Sequence, residues 1–330
     1  MSVLSLTLGA KRISLNMMRA ASIALFSSST TATLAQDSLA LTGPAPDAAV
    51  SSEVLRQSGG ATATYVLRPT FAEEFNNAPI DPLVWSHQMH RRFFDQAGVD
   101  INKVDTRVFG NQQALGMDPS FEGTTGAPLG LNPFLYHDSE LRITATWLPE
   151  GVIPDMLGSN VVNGMSYDLM TGIVASWPGF EQQHGFFEIR AKLPQGQGVW
   201  PAFWLVSKAP WPAGGEIDVL EAVRNKIHHT IHWEGVDGTH LSVSGNTNVP
   251  GFTGRFHNFG VLWTPAHITF YVDRVATGSV ANPGFETPMY LVANLGIGGD
   301  WPGPVNPDVL PVTMNIDWIR AYEITDRIVD

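Results

Sequence analysis

HGFFEIRAKLPQGQGVWPAFWLVSKAPWPAGGEIDVLEAV, residues 184–223, reads as three short β segments at 185–193, 199–206 and 216–223, cut apart by the breakers PQGQG and PWPAGG. The same pattern of β-branched and aromatic residues between turn signals recurs at 141–147, 172–176, 229–233, 259–263, 268–272, 290–295 and 314–322. No stretch of helix length carries a sustained 3.6-residue apolar stripe. Many short strands at this spacing predict an all-β antiparallel sandwich or barrel. In HITFYVDR, Ile268, Phe270 and Val272 alternate with Thr269, Tyr271 and Asp273, the signature of a half-buried antiparallel strand. Arg274 and Val275 then lead into Ala-Thr-Gly, which reads as a turn.

Composition narrows the chemistry. The 330 residues include no cysteine, which excludes a disulfide scaffold, a thiolate metal site and a cysteine nucleophile. Only 19 Lys and Arg stand against 31 Asp and Glu, too few to track phosphates, so nucleic acid is not an expected partner. Residues 1–35 carry Lys11, Arg12 and Arg19, no acid, and the small apolar run AASIALFSSSTTATLA ending in a small-x-small site at Thr33-Leu34-Ala35. That is the form of a signal peptide, too short and hydroxyl-rich to anchor in a membrane, and it predicts a secreted or periplasmic protein. Its removal would take the net charge from −12 to −15. Residues 36–66, rich in Ala, Ser, Thr, Gly and Pro, read as a linker or loosely ordered tail. One domain is then expected over 67–328, acting as a monomer.

Within 216–223 three carboxylates fall in six residues of an otherwise apolar strand. Strict alternation puts Glu216 and Asp218 on one face and Glu221 on the other. A β-bulge at Val219-Leu220 would absorb one residue and return Glu221 to their side. Four effective strand steps then separate the two Glu Cα atoms by ~13 Å, close enough for leaning side chains to reach the ~5–5.5 Å of a retaining glycosidase pair. Taken alone, the pattern also fits an exposed acidic face or a calcium site of three carboxylates. Trp200, Phe203, Trp204 and Trp233 crowd around this strand, and such rings stack on the C–H faces of sugars.

GEIDVLE resembles the bulged ExDxxE signature of glycoside hydrolase family sixteen, the family of laminarinases and related bacterial β-glucanases. HGFFEIRAKLPQGQGVWPAFWLV (184–206), HTIHW, FHNFGVLWTPAHITFYVDR (256–274), PMYLVANLGIGGDWPGP (288–304) and MNIDWIRAYE (314–323) resemble its other segments in the same order, and FAEEFN with Trp85 resembles its opening strand. The resemblance implies a β-jelly-roll sandwich of two curved antiparallel sheets with a concave substrate cleft. It implies Glu216 as nucleophile, Asp218 as helper and Glu221 as general acid/base, with Trp200, Trp204, His232, Trp233 and Trp301 lining the cleft. It implies no cofactor for catalysis but a structural Ca2+ on the convex side, for which Asp317 and Glu74 are the matching residues.

The implied function is a secreted retaining endo-β-glycanase of β-1,3 or mixed β-1,3/1,4-glucan, with a polysaccharide as its partner. GLNPF (130–134) resembles the branch that depolymerises acidic bacterial exopolysaccharides such as succinoglycan, and a transglycosylase would share the machinery. A carbohydrate-binding jelly roll is the reading without catalysis. Residues 94–128 show no clear period and are expected to form a long loop, one wall of the cleft. His228, His229 and His232 lack the spacing of a catalytic metal site, and His232 reads as a polar cleft residue.

Overall fold

The computed structural model describes residues 51–56, 62–76, 78–90, 112–152, 161–162, 165–166 and 168–329. The expected leader and residues 94–111 of the expected loop lie outside them. Two antiparallel sheets pack face to face, as the jelly-roll expectation requires. The smaller has six strands in the order His240–Thr247, Lys226–Glu234, Glu216–Val223, Val199–Ser207, Met289–Ile297, Ile173–Ala175, antiparallel throughout. The larger has eleven strands organised around the long strand Val312–Val329, which pairs with Thr62–Glu73, Glu140–Trp147 and Gly185–Lys192.

The core lies between the sheets. Phe203, Leu205, Ile217, Val219 and Leu291 of the smaller sheet meet Phe187, Ile189, Val261, Phe270, Ile316 and Ile319 of the larger in one buried cluster. Alternation along each strand sends these residues inward and leaves their neighbours for the outer faces. The outer face of the smaller sheet thereby receives the polar residues that build the cleft.

Three expectations are revised. Ser51–Arg56 and Thr62–Glu73 are paired strands, so ordered structure begins inside the stretch read as a tail. Val275–Ala281 is a strand where a turn was read, because the chain reverses one step earlier, at Asp273 and Arg274, both with positive φ of 49° and 62°. Tyr271, expected on the open face of its strand, is buried instead, covered in a second apolar cluster with Leu67, Phe186 and Tyr322.

Candidate active site

The acidic strand Glu216–Val223 is central in the smaller sheet, held by Val199–Ser207 on one side and Lys226–Glu234 on the other. It enters from Gly215, whose φ of +77° and whose Cα direction, where a Cβ would sit 2.7 Å from the Phe285 ring, admit only glycine. It leaves through a tight hairpin at Arg224 and Asn225, both left-handed. The bulge forms where the spacing of the carboxylates requires it. Asp218 pairs with Thr230 and Glu221 with His228, so Val219 and Leu220 of one strand stand opposite His229 alone on the other, and both turn into the core. Glu216, Asp218 and Glu221 all line one cleft of about 550 Å³.

Each carboxylate has a dedicated partner. Trp211 donates its indole N–H to Glu216 Oε2, and Trp200 donates its own to Glu221 Oε1 at 3.0 Å. Asp218, buried between them, faces His232 Nε2 at 3.1 Å and is hydrogen-bonded to Glu216. Two carboxylate charges ~5 Å apart repel by about 3 kcal/mol at an effective dielectric near 20. That is more than twice the ~1.4 kcal/mol that moves a pKa by one unit. Burial first, and the charge of Asp218 second, push the carboxyl groups of both Glu216 and Glu221 well above the usual range, with the indole N–H groups opposing part of the shift. The cluster therefore keeps protons at pH values where a free glutamate is ionised.

The walls are aromatic. Trp301 meets Trp200 edge to face at 5.2 Å and His228 at 4.9 Å near the Glu221 end. Trp211 and His240 pack at 4.6 Å near the Glu216 end, and His240 Nε2 lies 2.9 Å from His232 Nδ1. Trp200, His232 and Trp301 line the cleft as expected. Trp204 borders it too, but at 4% exposure it presents little ring face, and its N–H is given to Asn294 Oδ1 at 2.9 Å. Trp233 does not join them. It follows His232 directly in an extended strand, so it points the opposite way and packs against the core.

Glu74 and Asp317, the residues expected at a structural calcium, are each engaged by an arginine. Both oxygens of Glu74 are taken by Arg320, at 2.7 and 2.9 Å, and Asp317 Oδ2 pairs with Arg190 at 2.6 Å. No group of three His, Cys, Asp or Glu suited to a metal occurs among the described residues. Arginine is the counter-charge of both carboxylates.

Gln112, Trp211, His228, Thr230, Ser244 and Asn294 also line the cleft and were not assigned to it from sequence. Strand parity could have found His228 and Thr230, which share the face of His232. Asn294 is the single polar side chain inside YLVANLGI. Trp211 sits in a turn, where no period operates, and its signal was topological, since a turn entering the acidic strand must lie beside Glu216. Gln112, at the described end of the expected long loop, does form part of the wall.

The profile of the family described as glycosyl hydrolases family 16 matches residues 156–320. Endo-1,3-1,4-beta-glycanase ExsH of Rhizobium meliloti (strain 1021) is 32% identical over 267 residues, covering 78% of this chain and 52% of that protein. Keratan-sulfate endo-1,4-beta-galactosidase of Sphingobacterium multivorum is 28% identical, over 88% of this chain and 63% of that protein. The chain thus spans about half the length of its Rhizobium relative. Among solved structures, SCLam, a non-specific endo-beta-1,3(4)-glucanase from family GH16, superposes with a TM-score of 0.61 at 26% identity, over 84% of this chain and 96% of that one. The matched residues contain the whole cleft-bearing sheet with its bulged carboxylate strand, and the chain belongs to glycosyl hydrolases family 16.

Proposed function

We propose that this chain is an endo-acting, retaining β-glycanase, exported by the leader at residues 1–35, that hydrolyses β-1,3 or mixed β-1,3/1,4-glucan. The observation that carries the proposal is the pair Glu216 and Glu221 brought to one cleft by the bulge, each with its own indole donor. In the first displacement an ionised Glu216 attacks the anomeric carbon while Glu221 gives its proton to the departing glycosidic oxygen, leaving a glycosyl ester on Glu216. In the second, Glu221 takes a proton from water, whose oxygen attacks the same carbon and releases Glu216. A sugar hydroxyl in place of water would give transglycosylation by the same steps. Asp218 fits the helper role, because its charge beside Glu221 favours the protonated acid. Both displacements use only a carboxylate nucleophile and proton transfers, so no cofactor enters. Three carboxylates in one cleft are costly for a lectin and necessary for this chemistry.

A second reading, depolymerisation of an acidic exopolysaccharide, is favoured by one specific feature. In a chain of net charge −12, Arg224 and Lys226 flank the Glu221 end of the cleft. Arg224 Nη2 holds the Trp301 carbonyl at 3.0 Å, Lys226 continues the cleft-facing row of His228 and Thr230, and the His228 pKa is lowered first by burial and then by these two cations. Rates on laminarin, lichenan, xyloglucan, agar and an acidic exopolysaccharide separate the two readings. Highest activity on laminarin or lichenan supports the first; activity confined to the acidic polymer supports the second; none on any of them defeats both. With carboxymethylated β-glucan, the double variant Arg224→Glu with Lys226→Glu is expected to raise KM about three- to ten-fold, as exposed ion pairs are individually weak. The single variant Lys226→Glu, which leaves the bond from Arg224 to the Trp301 carbonyl in place, should change KM for neutral laminarin far less, and 1 M salt should remove most of its effect on the charged substrate.

A further inference from the structure

The bulge that turns Glu221 into the cleft leaves Val219 without a paired residue on either neighbouring strand. Asp218 pairs with Trp204 and Thr230, and the ladder resumes at Leu220 with Phe203 and at Glu221 with His228. An extra residue in a bulge loses ladder bonds, and here it is fully buried, so its carbonyl needs a donor from elsewhere. His229 provides one. It is 1% exposed, on the core side of its strand, with Nδ1 2.7 Å from the Val219 carbonyl oxygen.

The rest of its environment fixes the tautomer. A carbonyl oxygen only accepts, so Nδ1 carries the hydrogen and Nε2 of the neutral ring is an acceptor. Thr277 Oγ1, on the strand Val275–Ala281 of the opposite sheet, lies 3.0 Å from Nε2 and 3.3 Å from the Phe270 carbonyl; with the ring hydrogen on Nδ1, its single O–H is assigned to the nearer acceptor, Nε2. The ring is stacked on Phe270 at 4.7 Å and 13°. Burial brings its pKa down to about 4, so it stays neutral across the pH range in which the enzyme would work. A leucine would fill the same space in the core but would leave Val219 unpaired.

We propose that His229 is a positioning residue for the active site: its Nδ1–H bond to the Val219 carbonyl locks the bulge from behind the sheet, thereby aiming Glu221, and Thr277 holds the tautomer that makes this bond. The inference rests on the reading of Glu221 as the acid/base. Neither His229 nor Thr277 touches the cleft.

Side-chain 15N NMR of the wild-type protein at neutral pH should show His229 protonated at Nδ1 and bare at Nε2; the opposite tautomer would overturn the proposal. Asparagine places an N–H where Nδ1 was, glutamine places one near Nε2, and leucine places neither. His229→Asn should keep kcat within about three-fold, whereas His229→Gln and His229→Leu should lower it on the order of 10- to 100-fold with KM little changed, the loss expected of a small misplacement of a reacting group. Equal loss in all three, or full activity in His229→Leu, would show a merely structural histidine. If His229→Leu does not fold, Thr277→Val, which keeps its shape, should release the tautomer and lower kcat alone; an unchanged tautomer and kcat would count against the proposal. Amide shifts of Val219, Leu220 and Glu221 should move in His229→Gln and not in His229→Asn. This readout separates a failure of the bulge lock from a failure of the glycanase reading, since it needs no substrate.

Discussion

Replacing Glu216 with glutamine is expected to lower kcat by on the order of 10⁴-fold or more, as loss of a covalent nucleophile does, while oligosaccharide binding persists. The variant should also be more stable than the parent at neutral pH. Glu216 has a folded-state pKa raised by burial and by Asp218. A raised carboxylate contributes stability that is fully present below its unfolded value and is lost as pH rises through the folded one. Glutamine is neutral throughout, so its advantage should appear as pH rises above the ordinary glutamate range and vanish below it. Melting curves of parent and variant across that window test the electrostatics apart from the catalysis. A variant that loses stability relative to the parent as pH rises would mean that the folded chain stabilises the Glu216 anion, with its pKa depressed instead of raised.

Glu221 should fail in a different way. Removing a general acid/base costs on the order of 10²- to 10⁴-fold, but the loss should fall mainly on substrates whose leaving oxygen needs a proton. An aryl β-glycoside with an acidic phenol leaves unaided, so Glu221→Ala should form the glycosyl ester on Glu216 quickly and hydrolyse it slowly. Azide needs no base. It should restore turnover of that variant and give the β-glycosyl azide, since Glu216 has already inverted the centre once. Glu216→Ala with azide should give the α-glycosyl azide, by one direct displacement. The opposite pair of products would exchange the roles of the two residues.

Much of this site was legible because strand geometry is so regular. A period of two cannot place Glu216, Asp218 and Glu221 on one face, and that conflict pointed to a bulge at the two residues that form it. Breakers such as PQGQG marked strand ends for the same reason, since glycine and proline are poor inside a ladder. Where periodicity carries no information, the reading stopped. The edge strand His240–Thr247 buries only Gly245, so its polar sequence looks like a loop although it supplies Ser244 and His240 to the cleft side. Trp211 lies in a turn. Trp233 was placed in the cleft by the resemblance, where parity with His232 decides against it. The arginine partners of Glu74 and Asp317 could not be read from sequence, because Arg320 is 246 residues from the first and Arg190 is 127 from the second, and no local pattern shows which counter-charge a carboxylate will meet.

The position of Glu221 links these observations. The bulge places it in the cleft, Trp200 donates to it, burial and then Asp218 raise its pKa, and His229 contacts the Val219 carbonyl behind it. The proposed double displacement needs both glutamates at one site, where the cleft has them. The most direct measurement is therefore the anomeric configuration of the newly formed reducing end, followed by 1H NMR from the first minutes of laminarin or lichenan cleavage. The β-anomer should appear first, with the α-anomer growing in only as mutarotation proceeds. An initial α-anomer would contradict the double displacement on Glu216.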